Sequence, residues 1–96
     1  MLILTRRFAL ELGQHGITVN AVAPGFVRTD LTQRGRGVAD WPRTEQRFAQ
    51  RAMMGRIGEP KDIANGVVFL AAPESGWITA QALTVDGGRV DYIGRG

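Results

Sequence analysis

The sequence predicts an α/β fold of two parallel strands, two main helices and a lid segment. Three observations carry that expectation. Leu4, Phe8 and Leu12 recur at helical spacing, and Ile63, Val67 and Leu70 do so again later. Ile17 to Ala23 and Gln81 to Val85 read as short apolar strands. The order helix, strand, lid, helix, strand then places a helical crossover between the two strands. Such a connection makes the strands parallel and the unit right-handed. At 96 residues the chain holds one small domain at most. A chain of that size buries roughly 60–65% of its unfolded surface, so its core is thin.

The first helix is predicted over Met1 to Leu12, with Gly13 and Gly16 as its stop. It opens at the first residue with no Ser, Thr, Asp or Asn before it, which leaves backbone N–H groups without a cap. That absence points to missing upstream sequence. In the strand Ile17 to Ala23, Ile17, Val19, Ala21 and Ala23 share one face, and Thr18, Asn20 and Val22 the other. Both faces are largely apolar, as for a strand covered by helices on both sides. Pro24-Gly25 ends it, because proline donates no ladder hydrogen bond. Residues 28–58 form a lid-like segment after that strand end, with Gly35-Arg36-Gly37 as a flexible point and a short helix expected from Thr44 to Met54. The second main helix is expected from Glu59 to Ala72: Pro60 suits its first turn, Asp62 its positive end, and Pro73 forbids continuation. The strand Gln81 to Val85 closes at Asp86-Gly87-Gly88, and the tail from Arg89 to Gly96 has no clear period. Residues 1–96 contain no internal repeat and no linker. Two parallel strands are a poor fold alone, so their outer faces call for partners.

Composition narrows the function classes. Hydrophobic residues at 44% and charged residues at 22% are ordinary for a globular chain. No apolar run approaches the ~20 residues a membrane span needs. Met1–Leu4 lacks the order and length of a signal peptide. A cytoplasmic setting is the expectation, and the absence of cysteine agrees with it while excluding disulfides and thiolate metal sites. The net charge of +3 raises nucleic acid as a partner. The arginines are nevertheless scattered among acidic residues, with no basic run of five, so that partner is not expected.

Four motifs then coincide. The stretch Asn20-Ala21-Val22-Ala23-Pro24-Gly25-Phe26-Val27-Arg28-Thr29 resembles the segment after the sixth strand of short-chain dehydrogenase/reductases. The stretch Gly55-Arg56-Ile57-Gly58-Glu59-Pro60-Lys61-Asp62-Ile63-Ala64 is similar to that family's entry into its last long helix. The stretch Ile78-Thr79-Ala80-Gln81-Ala82-Leu83-Thr84-Val85-Asp86-Gly87-Gly88 is similar to its last strand and turn. The run from Leu4 to Leu12 resembles the helix that carries the catalytic Tyr-x-x-x-Lys at its start. The resemblance covers nearly the whole chain. It implies the C-terminal part of a Rossmann-like doubly wound parallel sheet, of the classical type near 3-oxoacyl-acyl-carrier-protein reductases. It also implies NAD or NADP as cofactor in the intact protein, a small-molecule alcohol or carbonyl substrate, and association of several copies. One departure stands out: Ala80 occupies a position where the family usually has glycine, and a minor effect on packing or on an intersubunit contact is expected from its methyl group.

Within the resemblance, Pro24, Gly25, Phe26, Val27 and Thr29 are the candidate cofactor-binding residues. Open α/β sheets bind ligands at the carboxyl ends of their strands. Gly25 lets bare backbone approach a flat ring. The family's equivalent of Val27 offers backbone groups to the nicotinamide carboxamide, and that of Thr29 a hydroxyl. No catalytic residue is assigned. The single tyrosine, Tyr92, and the single lysine, Lys61, are not spaced as Tyr-x-x-x-Lys. On the family pattern, that lysine falls a few residues before Met1. Gly35-x-Gly37 follows no strand and is no phosphate loop. The lone His15 sits in a turn, Ser75 reads as a turn residue, and no metal site is expected. Trp41 and Trp77 are expected in a core or an interface. Two readings follow: part of an oxidoreductase, inactive by itself and binding NADH weakly or not at all, or a non-catalytic interaction module derived from the same family.

Overall fold

A computed structural model describes residues 2–28 and 41–93, apart from the side chains of Trp41 and Ile93. Its elements run α1 (Leu2–Gly13), β1 (Ala21–Pro24), α2 (Trp41–Ala49), α3 (Pro60–Ala71) and β2 (Ala82–Val85). Short 3-10 turns cover Pro73–Ser75 and Val90–Ile93. The two strands are parallel, pairing Ala21 with Ala82 and Pro24 with Val85, with α3 as the crossover between them. The expected α/β architecture is therefore present.

β1 is shorter than the sequence implied. Regular pairing begins at Ala21 rather than Ile17, because the opposing chain turns aside at Ala80. Ala80 lies in the left-handed region at φ 65°. Side chains replace the ladder there: Val19 N–H donates to Thr79 Oγ1 at 3.0 Å, and Asn20 Nδ2 donates to the Ile78 carbonyl at 3.0 Å. Asn20 Oδ1 in turn accepts from Gln81 N–H at 3.0 Å. The departure from glycine at position 80 is thus a backbone matter rather than the packing matter expected of it. A residue with a Cβ is held where glycine is at ease.

α3 begins one residue later than expected. Glu59 is its extended N-cap and Pro60 its first residue, where a missing N–H costs nothing. Asp62 Oδ2 accepts the Glu59 N–H at 2.8 Å, satisfying a donor the helix leaves open. At the other end, Pro73 has no N–H to offer the Phe69 carbonyl four residues back. The Ala72 N–H reaches that carbonyl at 3.4 Å, and the hydroxyl of buried Ser75 bonds it as well. Ser75 is a turn residue, as expected, and it also caps the helix.

The covered face of α1 lies one residue from the expected stripe, and that of α3 keeps two of its three stripe residues. In α1 the buried pair is Thr5 and Ala9, while Leu4 and Phe8 are exposed. In α3, Ile63, Gly66 and Leu70 are partly covered and Val67 is exposed. A Cβ on Gly66 would meet Val85 at 3.2 Å, so the helix rides close over β2 at that point. The buried apolar residues among those described are Ala9, Ala21 and Ile57. Trp77, expected in a core or interface, is 98% exposed and so is not core.

Candidate functional site

The carboxyl end of β1 and its exit dominate the site. Gly25 N–H still bonds the Val85 carbonyl at 3.0 Å, carrying the ladder one step past Pro24. A Cβ at Gly25 would stand 2.5 Å from Asp86 Cβ and 2.8 Å from its Cα. The glycine is therefore demanded by the neighbouring turn of this chain, a reason the sequence did not disclose. Beyond it the backbone forms an isolated parallel bridge, Val27 to Gly58. Gly58 N–H donates to the Phe26 carbonyl at 2.9 Å, and Arg28 N–H donates to the Gly58 carbonyl at 2.8 Å. In an extended chain, neighbouring residues aim their polar groups to opposite sides. Val27's own N–H and C=O consequently point away from Gly58, and no hydrogen bond to either occurs among the described residues.

Phe26 and Arg28 both grip α2. The rings of Phe26 and Phe48 stack at 3.9 Å between centroids with 4° between planes. The Arg28 guanidinium reaches two carboxylates, Glu45 on α2 and Glu59 at the cap of α3. The hydrogen bond to Glu45 is the chief cause holding the Arg28 pKa above its ordinary value. Neither the stack nor this three-way ion pair was apparent in the sequence, where the partners lie 17 to 31 positions apart. Opposite charges at those positions are the one signal, and it is a weak one.

The expected helix from Thr44 to Met54 runs instead over Trp41–Ala49. Residues 51–54 leave it because their backbone is taken by the C-terminal turn. Met53 N–H donates to the Gly88 carbonyl, Met54 N–H to the Gly87 carbonyl and Val90 N–H to the Arg51 carbonyl. Ala52 and Arg89 form an antiparallel bridge. The tail that had no sequence period is thus tied to the lid-like segment.

Between these parts lies an open groove of about 340 Å³. Pro24, Gly25 and Phe26 form one wall, Phe48, Arg51 and Ala52 another, and Arg56, Ile57, Asp86 and Arg89 the floor and rim. The charges at its rim are mostly paired. Arg56 Nη1 meets Asp62 Oδ2 at 2.9 Å, and that hydrogen bond, followed by the one from the Glu59 N–H, holds the Asp62 carboxyl below its ordinary pKa. The Tyr92 hydroxyl donates to Asp86, which lowers the Asp86 pKa and raises that of Tyr92. Arg89 pairs with Asp91 at 2.6 Å.

Of the candidate residues, Pro24, Gly25, Phe26 and Val27 are brought together on one strand exit. Thr29, and with it Gly35-x-Gly37, lies outside the described residues. Tyr92 and Lys61 stand in no shared hydrogen bond, and His15 lies in the turn after α1. Among the described residues no group of three or more His, Asp or Glu side chains could hold a metal, and no helix is long and apolar enough to cross a membrane.

A parallel β–α–β unit is the building block of doubly wound α/β proteins, whose ligands lie at the carboxyl ends of the strands. Residues 1–89 match the family described as Enoyl-(Acyl carrier protein) reductase. The chain belongs to the short-chain dehydrogenase/reductase family. It is 51% identical over 89 residues to the short-chain reductase protein NovJ of Streptomyces niveus, covering 88% of this chain and 33% of that one. The crystal structure of a hydroxysteroid dehydrogenase from Escherichia coli superposes with a TM-score of 0.80 at 39% identity, over 93% of this chain and 36% of that one. ElxO with NADP bound superposes with a TM-score of 0.79 at 31% identity, over 98% and 36% respectively. The chain spans about a third of the length of these relatives.

Proposed function

We propose that this chain forms the nicotinamide wall and lid of an NAD(P)-dependent oxidoreductase acting on an alcohol or carbonyl. The observation that carries the reading is Val27. Its N–H and C=O are a donor and an acceptor side by side, turned away from Gly58 and without partners among the described residues. A primary carboxamide carries the complementary acceptor and donor. The residues present therefore fit the nicotinamide end of the cofactor. ElxO, with the same fold over this region, holds NADP.

Within this reading each residue has a task. Val27 orients the carboxamide and so selects the ring face. Pro24 and Gly25 close one side of the ring, with Gly25 held close against Asp86. Phe26, through its stack on Phe48, fixes the height of the lid above the groove. Bound cofactor supplies the hydride chemistry. The tyrosine that exchanges the proton, the lysine that tunes it and the glycine-rich turn for the pyrophosphate belong to the part of the family pattern upstream of residues 1–89. Thr29 joins Val27 at the carboxamide in the same reading. A small-molecule substrate, a cytoplasmic setting and association of several copies complete it, the last supported by the exposed Ile3, Leu4 and Leu10 of α1.

The test is the coding sequence that precedes Met1 together with the activity of the protein it encodes. The reading expects Tyr-x-x-x-Lys a few codons upstream in the same frame, and nicotinamide oxidation by that protein with a carbonyl substrate. A closed frame at the native locus, with no nicotinamide turnover by the native protein, overturns it in favour of an interaction module.

A further inference from the structure

We infer that the groove selects a substrate bearing a carboxylate, and that Arg51 is the residue that reads it. The inference rests on the nicotinamide wall proposed above and names the substrate class for the groove that Pro24, Gly25 and Phe26, the residues before Val27, border. Its basis is the bookkeeping of charge around that space. Three guanidinium groups line it, those of Arg51, Arg56 and Arg89, against one carboxylate, Asp86. Arg56 is committed to Asp62 and to the Ile57 carbonyl, and Arg89 to Asp91. Asp86 is committed to the Tyr92 hydroxyl and the Gly88 N–H. Arg51 differs. Its side chain has no carboxylate partner among the described residues, and its guanidinium carbon lies 5.2 Å from the centroid of the Phe48 ring. A guanidinium near an aromatic ring is constrained in position yet keeps its N–H fork for a planar acceptor.

The position suits that task. Phe48 joins Phe26 to Arg51, so the cation rides on the stack that borders the Pro24-Gly25 wall. A carbonyl compound with its oxo carbon beside the nicotinamide would lay its chain along the Phe26 and Phe48 rings and present its far end to Arg51. A carboxylate there gains a bidentate, charge-assisted pair, whereas an ester or alcohol gains much less. Arg51 also holds the lid to the C-terminal turn through its backbone carbonyl, which accepts the Val90 N–H at 3.0 Å. That bond survives any side-chain substitution.

The experiment is a titration of the chain, isotopically labelled for NMR, with 6-oxoheptanoate, whose four methylenes can follow the two rings, and separately with its uncharged methyl ester. The carboxylate form is expected to shift the Arg51 Hε and Phe48 ring signals and to bind about tenfold more tightly than the ester. Arg51→Gln is expected to abolish that preference, Arg51→Lys to retain part of it, and Arg47→Gln, at an exposed arginine on the neighbouring α2, to leave it intact. Arg51 is exposed, so these variants keep the fold, which amide spectra verify. Equal binding of the two probes, no binding of either, or a preference unchanged in Arg51→Gln overturns the inference. A parallel titration with nicotinamide mononucleotide, read at the Val27 amide, reports separately on the nicotinamide wall, and either can fail alone.

Discussion

Single residues carry local demands that the sequence states in only one of its two possible languages. Pro24-Gly25 was legible as a strand exit, yet the reason for Gly25 was not, because it lies in Asp86, 61 positions away in the chain. Gly25→Ala would force a Cβ into the Asp86 backbone and is expected to lower stability by roughly 1–3 kcal/mol in chemical denaturation. Ala80 gives the opposite case. The family comparison of motifs flagged it, but only the backbone shows that the residue is held at φ 65°. Ala80→Gly is expected to stabilise the fold by roughly 1 kcal/mol, with the Arg6 bond to the residue-80 carbonyl intact. Ser75→Ala removes the hydroxyl that serves the Phe69 carbonyl and is expected to cost about 1–3 kcal/mol, read as a lower denaturation midpoint.

Helices and strands were legible to within a few residues wherever Pro or Gly marked an end. α3 is the clearest instance, bounded by Pro60 and Pro73. Periodicity placed the α1 stripe one residue from the covered face and, in α3, found Ile63 and Leu70 but took Val67 in place of Gly66, because Ala9 and Gly66, small enough for close approach, carry little weight in a count of large apolar side chains. α2 was legible as a short helix placed a few residues too late, but its docking was not, since that depends on pairs distant in sequence: Phe26 with Phe48, Arg28 with Glu45 and Glu59. Both ion pairs are about a third exposed, so the one to Glu45 holds α2 weakly and salt weakens it further. Glu45→Gln is expected to raise hydrogen exchange across residues 41–49 about two- to fivefold, with a smaller increase in high salt because the wild-type pair is already screened there. The start of α3 depends on pH in a definite sense. The Asp62 carboxyl is held below its ordinary pKa by Arg56 and the Glu59 N–H. Its contribution is present above the ordinary carboxylate range and is lost as pH falls through the lowered folded-state value. Protection factors at the first turn of α3, taken against the intrinsic exchange rate at each pH, should therefore fall on acidification, and less so in Asp62→Asn, which has no charge to lose.

At the scale of the whole molecule the thin core and the open faces belong together. The Cα radius of gyration is 16.2 Å, against about 13 Å for a compact domain of this length. Exposed Ile3, Leu4, Leu10, Val68 and Trp77 add apolar surface that a neighbouring layer or copy would cover. The α/β class and the family were legible because four motifs fall in order along the chain. The central claim is that the strand exit from Pro24 to Val27 is a carboxamide-reading edge. The most direct measurement is the amide NMR spectrum of the protein titrated with nicotinamide mononucleotide and, as a control, with the nicotinic acid form that lacks the carboxamide. The account predicts that the largest shifts fall on the Val27 and Gly25 amides and occur with the carboxamide form alone. Equal shifts with both compounds, or shifts centred away from that exit, would contradict it.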